Sequence, residues 1–238
     1  MPVVTISGQI GSGARDVGRL AAERFQMDYV DQEILVGAAQ KLGVPMESVV
    51  PFDERRVGLG ERLAGLLRRF LEQSAKAGAT DPFLGTGSLE GVLGRTYTEA
   101  AAESADVSAE RYLATLTEII RELASHDNVL IIGRGSQVIL RDRPDALHVL
   151  IVAPLEHRVE EYARREGVSE EQASKGVREG DRGRAEFHRK FFNVAVDDPS
   201  LYHVTINAAR YTPAEAAALI ADAARCSLPG APAGGEPA

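Results

Sequence analysis

The fold is decided by residues 3–18, which read Val3-Val-Thr-Ile-Ser-Gly8-Gln-Ile-Gly11-Ser-Gly13-Ala14-Arg15-Asp16-Val-Gly18. An apolar run rich in β-branched residues comes first, and it predicts a strand buried on both faces. A glycine-rich turn and the start of a helical pattern follow. This order is typical of a loop that binds phosphate through backbone N–H groups and the positive end of a helix. The alternative is a plain strand-to-helix turn in which glycine serves packing alone.

The end of this loop departs from the usual pattern. Such loops finish with Lys, which reaches the outer phosphates, and Ser or Thr, whose hydroxyl helps hold magnesium. Ala14 and Arg15 occupy these positions, and Ala14 can supply neither group. Arg15 could supply the charge with a different geometry, and Ser12 could offer a hydroxyl. We predict that phosphates bind along the loop, whose residues are Gly8, Gln9, Ile10, Gly11, Ser12, Gly13, Ala14 and Arg15.

The composition excludes several classes of protein. The chain has 238 residues, a formal net charge of −8 and one cysteine, Cys226. A lone cysteine allows neither an intrachain disulfide nor a cysteine cluster for zinc, and an acidic balance argues against broad nucleic-acid binding. No apolar run approaches the roughly 18 residues of a membrane span, and no signal-peptide pattern precedes the first strand. We expect a cytoplasmic protein that binds neither nucleic acid nor membrane, with no indication of its oligomeric state.

Strand-like segments alternate with helical patterns along the chain. This alternation predicts an α/β fold in which a parallel sheet carries helices on both faces. The predicted strands are 3–7, 29–30, 129–132, 147–152 and 204–206. Ligands of such sheets bind at the carboxyl ends of the strands. The candidate site residues are therefore those that follow strands: Gly8 to Arg15, Asp31, Gly133 to Ser136, Ala153 and Asn207.

Turn and capping signals divide the rest of the chain. A helix is predicted over 32–42, with Asp31 as its N-cap and Gly43 as its stop, and another over about 108–125. Ser169 and Thr212 open capping boxes that start two further helices. The remaining predictions are a helix from Pro154, a long helix from Asp53, a mobile loop or short hairpin over 78–94 and a disordered tail over 227–238.

Two charged residues follow predicted strands and have alternative roles. Asp31 could coordinate magnesium or a substrate hydroxyl, or it could serve only as a helix N-cap. Arg134, in Gly133-Arg134-Gly135-Ser136, could point into the ligand crevice. Its alternative is an ion pair with a structural carboxylate.

A basic helix is predicted in the second half of the chain. Residues 178–190 contain five basic and three acidic side chains, and Arg178, Arg182 and Arg189 can share one helical face. Arginines that close over phosphate oxygens stabilise the charge of phosphoryl transfer, and His188 could also contact an anion. The alternative is a solvated helix with internal ion pairs. Gly180 and Gly183 favour a hinged lid, since helices built for stability avoid glycine.

Several stretches that carry these features occur together and in one order. They are Thr5–Gly18, Tyr29–Leu35, Ile131–Ser136, Ile139–Pro144, Ala153–Arg158, Asp181–Phe192, Asp198–Tyr202 and Ile206–Asn207. This set resembles the cytidylate kinase-like family, a branch of the P-loop nucleoside monophosphate kinases. The resemblance covers most of residues 1–45 and 128–225, and it is weaker over 50–105.

The resemblance implies a three-layer α/β P-loop kinase fold in a single domain, 1–226. That domain would hold a helical monophosphate-binding insert at about 45–105 and an arginine-bearing lid at about 167–192. ATP and Mg²⁺ would form the donor system, with CMP or dCMP as acceptor. Residues Gly8 to Arg15 would then hold the donor phosphates. The remaining candidates are Arg15, Arg184 and Arg189 for catalysis, Asp31, Arg134, Arg178 and Arg182 for substrate binding, and Ser12 or Asp31 for magnesium.

The chain differs from true cytidylate kinases at two motif positions. Those enzymes have Gly-Lys-Gly-Thr where this chain has Gly13-Ala14-Arg15-Asp16, and Asp where it has Gly135. The leading hypothesis is an ATP-dependent kinase of a nucleoside monophosphate. Two alternatives stay open: a nucleotide-binding regulatory module without turnover, and a kinase of another small acceptor.

Overall fold

The computed structural model describes residues 3–31, 33–43 and 108–227. The predicted insert at about 45–105, the helix from Asp53 and the loop 78–94 lie outside these ranges, as does the tail from 228. In chain order the elements are β1 Val3–Gly8, α1 Ala14–Phe25, β2 Asp28–Val30, α2 Glu33–Leu42, α3 Ala109–Ser125, β3 Val129–Ile132, α4 Ser136–Ile139, β4 Ala146–Val152, α5 Leu155–Glu166, α6 Glu170–Phe192, a 3₁₀ turn Pro199–Leu201, β5 Val204–Asn207 and α7 Pro213–Ser227.

The strands form one parallel sheet in the order β2-β3-β1-β4-β5. The first strand is central, and it pairs with β3 from Val3↔Val129 and with β4 from Val3↔Ala146. Because every strand runs the same way, the carboxyl ends of all five lie along one edge. The predicted parallel sheet is confirmed. The loop Gly8 to Arg15, which we call the phosphate loop after its predicted ligand, leaves it from the middle of that edge.

Side chains alternate between two apolar layers along β1. Val4 and Ile6 pack with α1 and α7, and Val3 packs with α2, α3 and Phe187 of α6. Helices therefore cover both faces, and the predicted three-layer α/β architecture is confirmed. No helix within the described ranges combines the length and apolar character needed to cross a bilayer.

Most predicted helix boundaries agree with the structure. Ser108 caps α3, Ser169 and Gln172 form a full capping box on α6, and Thr212 bonds Glu215 at the start of α7. The final helix extends through Ser227, one residue beyond the predicted domain end.

Two local predictions stay predictions. α2 spans Glu33–Leu42, and the N-cap role of Asp31 depends on residue 32, which lies outside the described ranges. α6 is continuous from Glu170 to Phe192, without a break at Gly180 or Gly183, and the lid predicted at about 167–192 stays a prediction. The reason for Gly180 is close packing, since a Cβ there would lie 2.7 Å from Cγ1 of Ile10.

Candidate functional site

The loop between β1 and α1 is closed on one side and open on the other. Gly11 has φ +81°, and a Cβ there would overlap the carbonyl oxygen of Arg158. Gly13 has φ +75°, and a Cβ there would meet no described residue within 4 Å. Gly13 is also the N-cap of α1, and no side chain within the described ranges caps the helix. An uncapped helix start beside open space is suited to an anion.

Ser12 and Arg15 provide polar groups at this loop. Ser12 is 2% exposed, and its Oγ forms no hydrogen bond with any residue in the described ranges. A buried hydroxyl of this kind requires a partner, because leaving it without one costs about 1–3 kcal/mol. The Nε of Arg15 lies 2.7 Å from Oδ2 of Asp31, and the side chain is 26% exposed. The loop therefore has a fixed, partly accessible positive charge beside Ala14.

Asp31 connects the phosphate loop to the end of β3. Its second oxygen, Oδ1, lies 3.1 Å from Nη1 of Arg134, which is fully buried. The backbone of Arg134 is left-handed, with φ +56°, as are those of Gly133 and Gly135 on either side. A left-handed arginine is strained, and such strain clusters at functional sites. The carboxylate pairing is the alternative that the sequence left open for Arg134.

Asp31 forms ion pairs with two arginines. One carboxylate oxygen contacts Arg15 and the other contacts Arg134. Within the described ranges, no group of three or more His, Cys, Asp or Glu could hold a metal ion. The proposed magnesium role of Ser12 or Asp31 therefore stays a prediction.

The arginines of α6 divide into two sets. Arg184 is 3% exposed, with Nη1 2.7 Å from Oδ1 of Asp197 and Nη2 donating to Oγ of Ser7 at 3.1 Å. Ser7 directly precedes the phosphate loop, so Arg184 bonds the chain at the point where that loop begins. Arg178, Arg182 and Arg189 are exposed. Their predicted contact with substrate stays a prediction.

His188 is buried in a polar network, so its predicted contact with a bound anion is wrong. Its Nδ1 lies 2.9 Å from the carbonyl oxygen of Arg184, and its Nε2 lies 3.0 Å from Nε2 of Gln137. These partners assign the proton to Nδ1, because a carbonyl only accepts and an amide nitrogen only donates. Gln137 also donates to the hydroxyl of Tyr202 at 3.3 Å. The network fixes the backbone of α6 at Arg184.

Sequence reasoning missed two residues that contact the loop. Arg158 and Asp181 bond the main chain of Ile10 from α5 and α6. Both fall in stretches that carry the family resemblance, and that position was the available signal.

A family model of the cytidylate kinase-like family matches residues 3–210. The chain belongs to the cytidylate kinase-like family. A curated cytidylate kinase from Methanopyrus kandleri is 27% identical over 100 residues, which are 39% of this chain and 52% of that protein. The chain thus spans about half the length of this curated relative.

A solved structure supports the fold of this cytidylate kinase-like protein. The crystal structure of an uncharacterized protein from Eubacterium ventriosum aligns with a TM-score of 0.61 and 16% identity. The alignment covers 94% of this chain and 99% of the other. The family match confirms the resemblance seen in the sequence.

Proposed function

We propose that this protein transfers the γ-phosphoryl group of ATP to a nucleoside monophosphate, with CMP or dCMP as the first acceptors to test. The observation that carries the proposal is the open phosphate loop with Arg15 held beside it by Asp31. A mobile loop lysine is absent, and Arg15 supplies the positive charge in its place. A cytoplasmic location, expected from the sequence, would give access to ATP.

The described residues fit the triphosphate of ATP. The uncapped first turn of α1 can donate backbone N–H groups, and the buried hydroxyl of Ser12 gains a partner when an anion enters. Mg²⁺ would enter bound to the triphosphate, where it neutralises charge and commonly keeps several waters. Ser12 is the residue that would support this complex.

The proposed reaction is an in-line displacement at the γ-phosphorus. An oxygen of the acceptor phosphate forms the new P–O bond while the bond to the ADP oxygen breaks. Negative charge spreads over the transferred group and the leaving oxygen, and the guanidinium of Arg15, which Asp31 holds beside the loop, would offset that charge. Arg178, Arg182 and Arg189 would add positive charge from α6 once both substrates are bound.

Two alternatives have support of their own. Ala14, which replaces the loop lysine, is half-buried against the apolar layer of α1, and this favours binding without turnover. Gly135, which replaces the motif Asp, favours a different small acceptor. The three hypotheses share the phosphate loop and differ in the product.

A turnover assay separates these hypotheses. We expect ADP and a phosphorylated acceptor from a panel of CMP, dCMP, UMP and AMP with MgATP, and a drop in kcat of roughly 100-fold in Arg15→Ala. Arg19→Ala is the control, since Arg19 is exposed on the same helix and pairs only with Asp16 among the described residues. ATP binding without product from any nucleotide or other small acceptor would establish the regulatory module instead.

A further inference from the structure

Both backbone polar groups of Ile10, in the middle of the phosphate loop, are held by side chains from outside the loop. The N–H of Ile10 donates to Oδ1 of Asp181 at 3.0 Å. Its carbonyl oxygen accepts from Nη1 of Arg158 at 3.1 Å. The same Nη1 lies 2.6 Å from Oδ2 of Asp181, which closes a ring of three contacts. We call Arg158 and Asp181 the loop clamp.

The clamp is itself fixed by its surroundings. Nε of Arg158 donates to the carbonyl oxygen of Ala153 at 2.9 Å, directly after β4. Gly180 leaves room for the side chain of Ile10, and Gly11 lies against the backbone of Arg158. The amide N–H of Ala153 donates to Oε1 of Gln9 at 3.2 Å. The residues Gln9 to Gly11 are thus anchored to α5, α6 and the end of β4.

The anchored half of the loop contrasts with the half that would meet phosphate. The backbone from Ser12 leads through the N-cap Gly13 into α1, which begins at Ala14. A loop with several glycines has many conformations, and ordering it during binding would weaken affinity. Anchoring Gln9 to Gly11 in the folded protein removes that loss before nucleotide arrives.

The charge balance of the clamp also favours a phosphate ligand. A lone carboxylate at the loop would repel a triphosphate, with an energy that grows as the local dielectric constant falls. Arg158 offsets this charge, since its side chain is 8% exposed and in direct contact with Asp181. The pair therefore holds the N–H of Ile10 without adding net negative charge.

We propose that Arg158 and Asp181 are positioning residues of the ATP site, which preorganise the loop for the donor phosphates. The proposal rests on the proposed function, because it takes the triphosphate of ATP as the ligand of the loop. Neither residue contacts the reacting atoms, so their effect is on donor binding. The chemical step depends on Arg15 and the acceptor.

The test compares Asp181→Ala and Asp181→Asn with the wild type and with Glu179→Gln. Glu179 is an exposed acid on α6 two residues before Asp181 and serves as the control. We expect Asp181→Ala to raise the Kd and KM for ATP roughly tenfold while kcat at saturation changes less than about twofold. Asn keeps an acceptor for Ile10, so Asp181→Asn should raise the Kd less, by about threefold.

Amide hydrogen exchange of Ile10 gives a second readout that does not need turnover. In Asp181→Ala this amide should exchange at least about tenfold faster, while in Glu179→Gln it should be unchanged. A thermal melt checks that each variant is folded, and Arg158→Lys replaces Asp181→Ala if the latter is not. A folded variant with wild-type ATP affinity and wild-type exchange at Ile10 overturns the proposal.

The same experiment distinguishes this proposal from the proposed function. If the wild type binds ATP and phosphorylates no acceptor, the kinase reaction fails, and the Kd and the exchange of Ile10 still decide the positioning role. If the wild type does not bind ATP, both proposals are overturned. A lower melting temperature with unchanged ATP affinity would show a purely structural pair and would also reject the positioning role.

Discussion

Asp31 is the residue through which the phosphate loop and the end of β3 are joined. Its two carboxylate oxygens contact Arg15 and the fully buried Arg134. A buried guanidinium that loses a charged partner destabilises the folded state strongly. We expect Asp31→Asn to lower the free energy of unfolding by about 2–3 kcal/mol, measured by urea denaturation. The matched control is Asp28→Asn, at an exposed position that begins β2, and equal losses in the two variants would contradict the role of Asp31.

His148 makes the stability of the protein dependent on pH. Burial, with a smaller effect of His203 stacked on it, lowers the pKa of His148 from 6.5 to about 4. Between these values the unfolded chain binds a proton that the folded protein does not, so stability falls as the pH drops from about 6.5 to about 4. The loss attributable to His148 amounts to about 3 kcal/mol at the acid end.

This pH effect can be assigned by substitution. In His148→Gln the free energy of unfolding, measured by urea denaturation at several pH values, should depend less steeply on pH over this window. His126→Gln changes an exposed histidine after α3 and should keep the wild-type slope. Equal slopes in all three proteins would show that His148 is not the titrating group.

The sixth helix is the element that touches most of the site. It bonds Ile10 through Asp181 and Ser7 through Arg184, and at its end the ring of Phe192 covers Gly135. A Cβ at Gly135 would overlap that ring, and the φ of +70° adds strain for any other residue. One rigid helix therefore fixes the ends of β1 and β3 together.

A double-mutant cycle tests the contact between α6 and the end of β3. We expect Gly135→Ala to lower the free energy of unfolding by about 3 kcal/mol, from left-handed strain and the overlap with Phe192. In a Phe192→Ala background the same change should cost only about 1 kcal/mol, because strain alone remains. Additive losses, measured by urea denaturation, would show that the two positions do not interact.

The start of α6 could be predicted from the sequence, and its packing could not. Ser169 and Gln172 signal the start through a local capping pattern that tertiary structure does not alter. Gly180 is ambiguous, because a glycine within a helix fits either a hinge or a close approach. Only the position of Ile10 on the neighbouring loop decides between them, and that position depends on how distant segments pack.

At the scale of the whole molecule, the sequence predicts that the site lies at the carboxyl edge of the sheet. It does not predict which charged residues at that edge form ion pairs. Strand patterns place Gly8, Asp31 and Arg134 after parallel strands, and all three do meet at the carboxyl edge. Which arginine pairs with which carboxylate depends on strand order, since β3 lies between β2 and β1. The burial of Arg184 could not be predicted for the same reason. Its partner Ser7 lies far from it in the sequence, and its partner Asp197 follows the end of α6.

The acidic protein and its exposed arginines predict a salt-dependent affinity for substrate. The chain carries a net charge of −8, so a nucleotide is repelled at long range and attracted close to Arg178, Arg182 and Arg189. The screening length falls from about 10 Å at 0.1 M salt to about 3 Å at 1 M, which weakens the attraction of exposed arginines for phosphate. Raising NaCl from about 50 to about 500 mM should therefore increase the KM for the monophosphate several-fold.

Arg182→Ala should raise this KM at low salt and reduce its salt dependence. Arg225→Ala removes an exposed arginine of α7 that pairs with Asp222, and it should leave the salt dependence unchanged. An identical response in both variants would exclude Arg182 from acceptor binding.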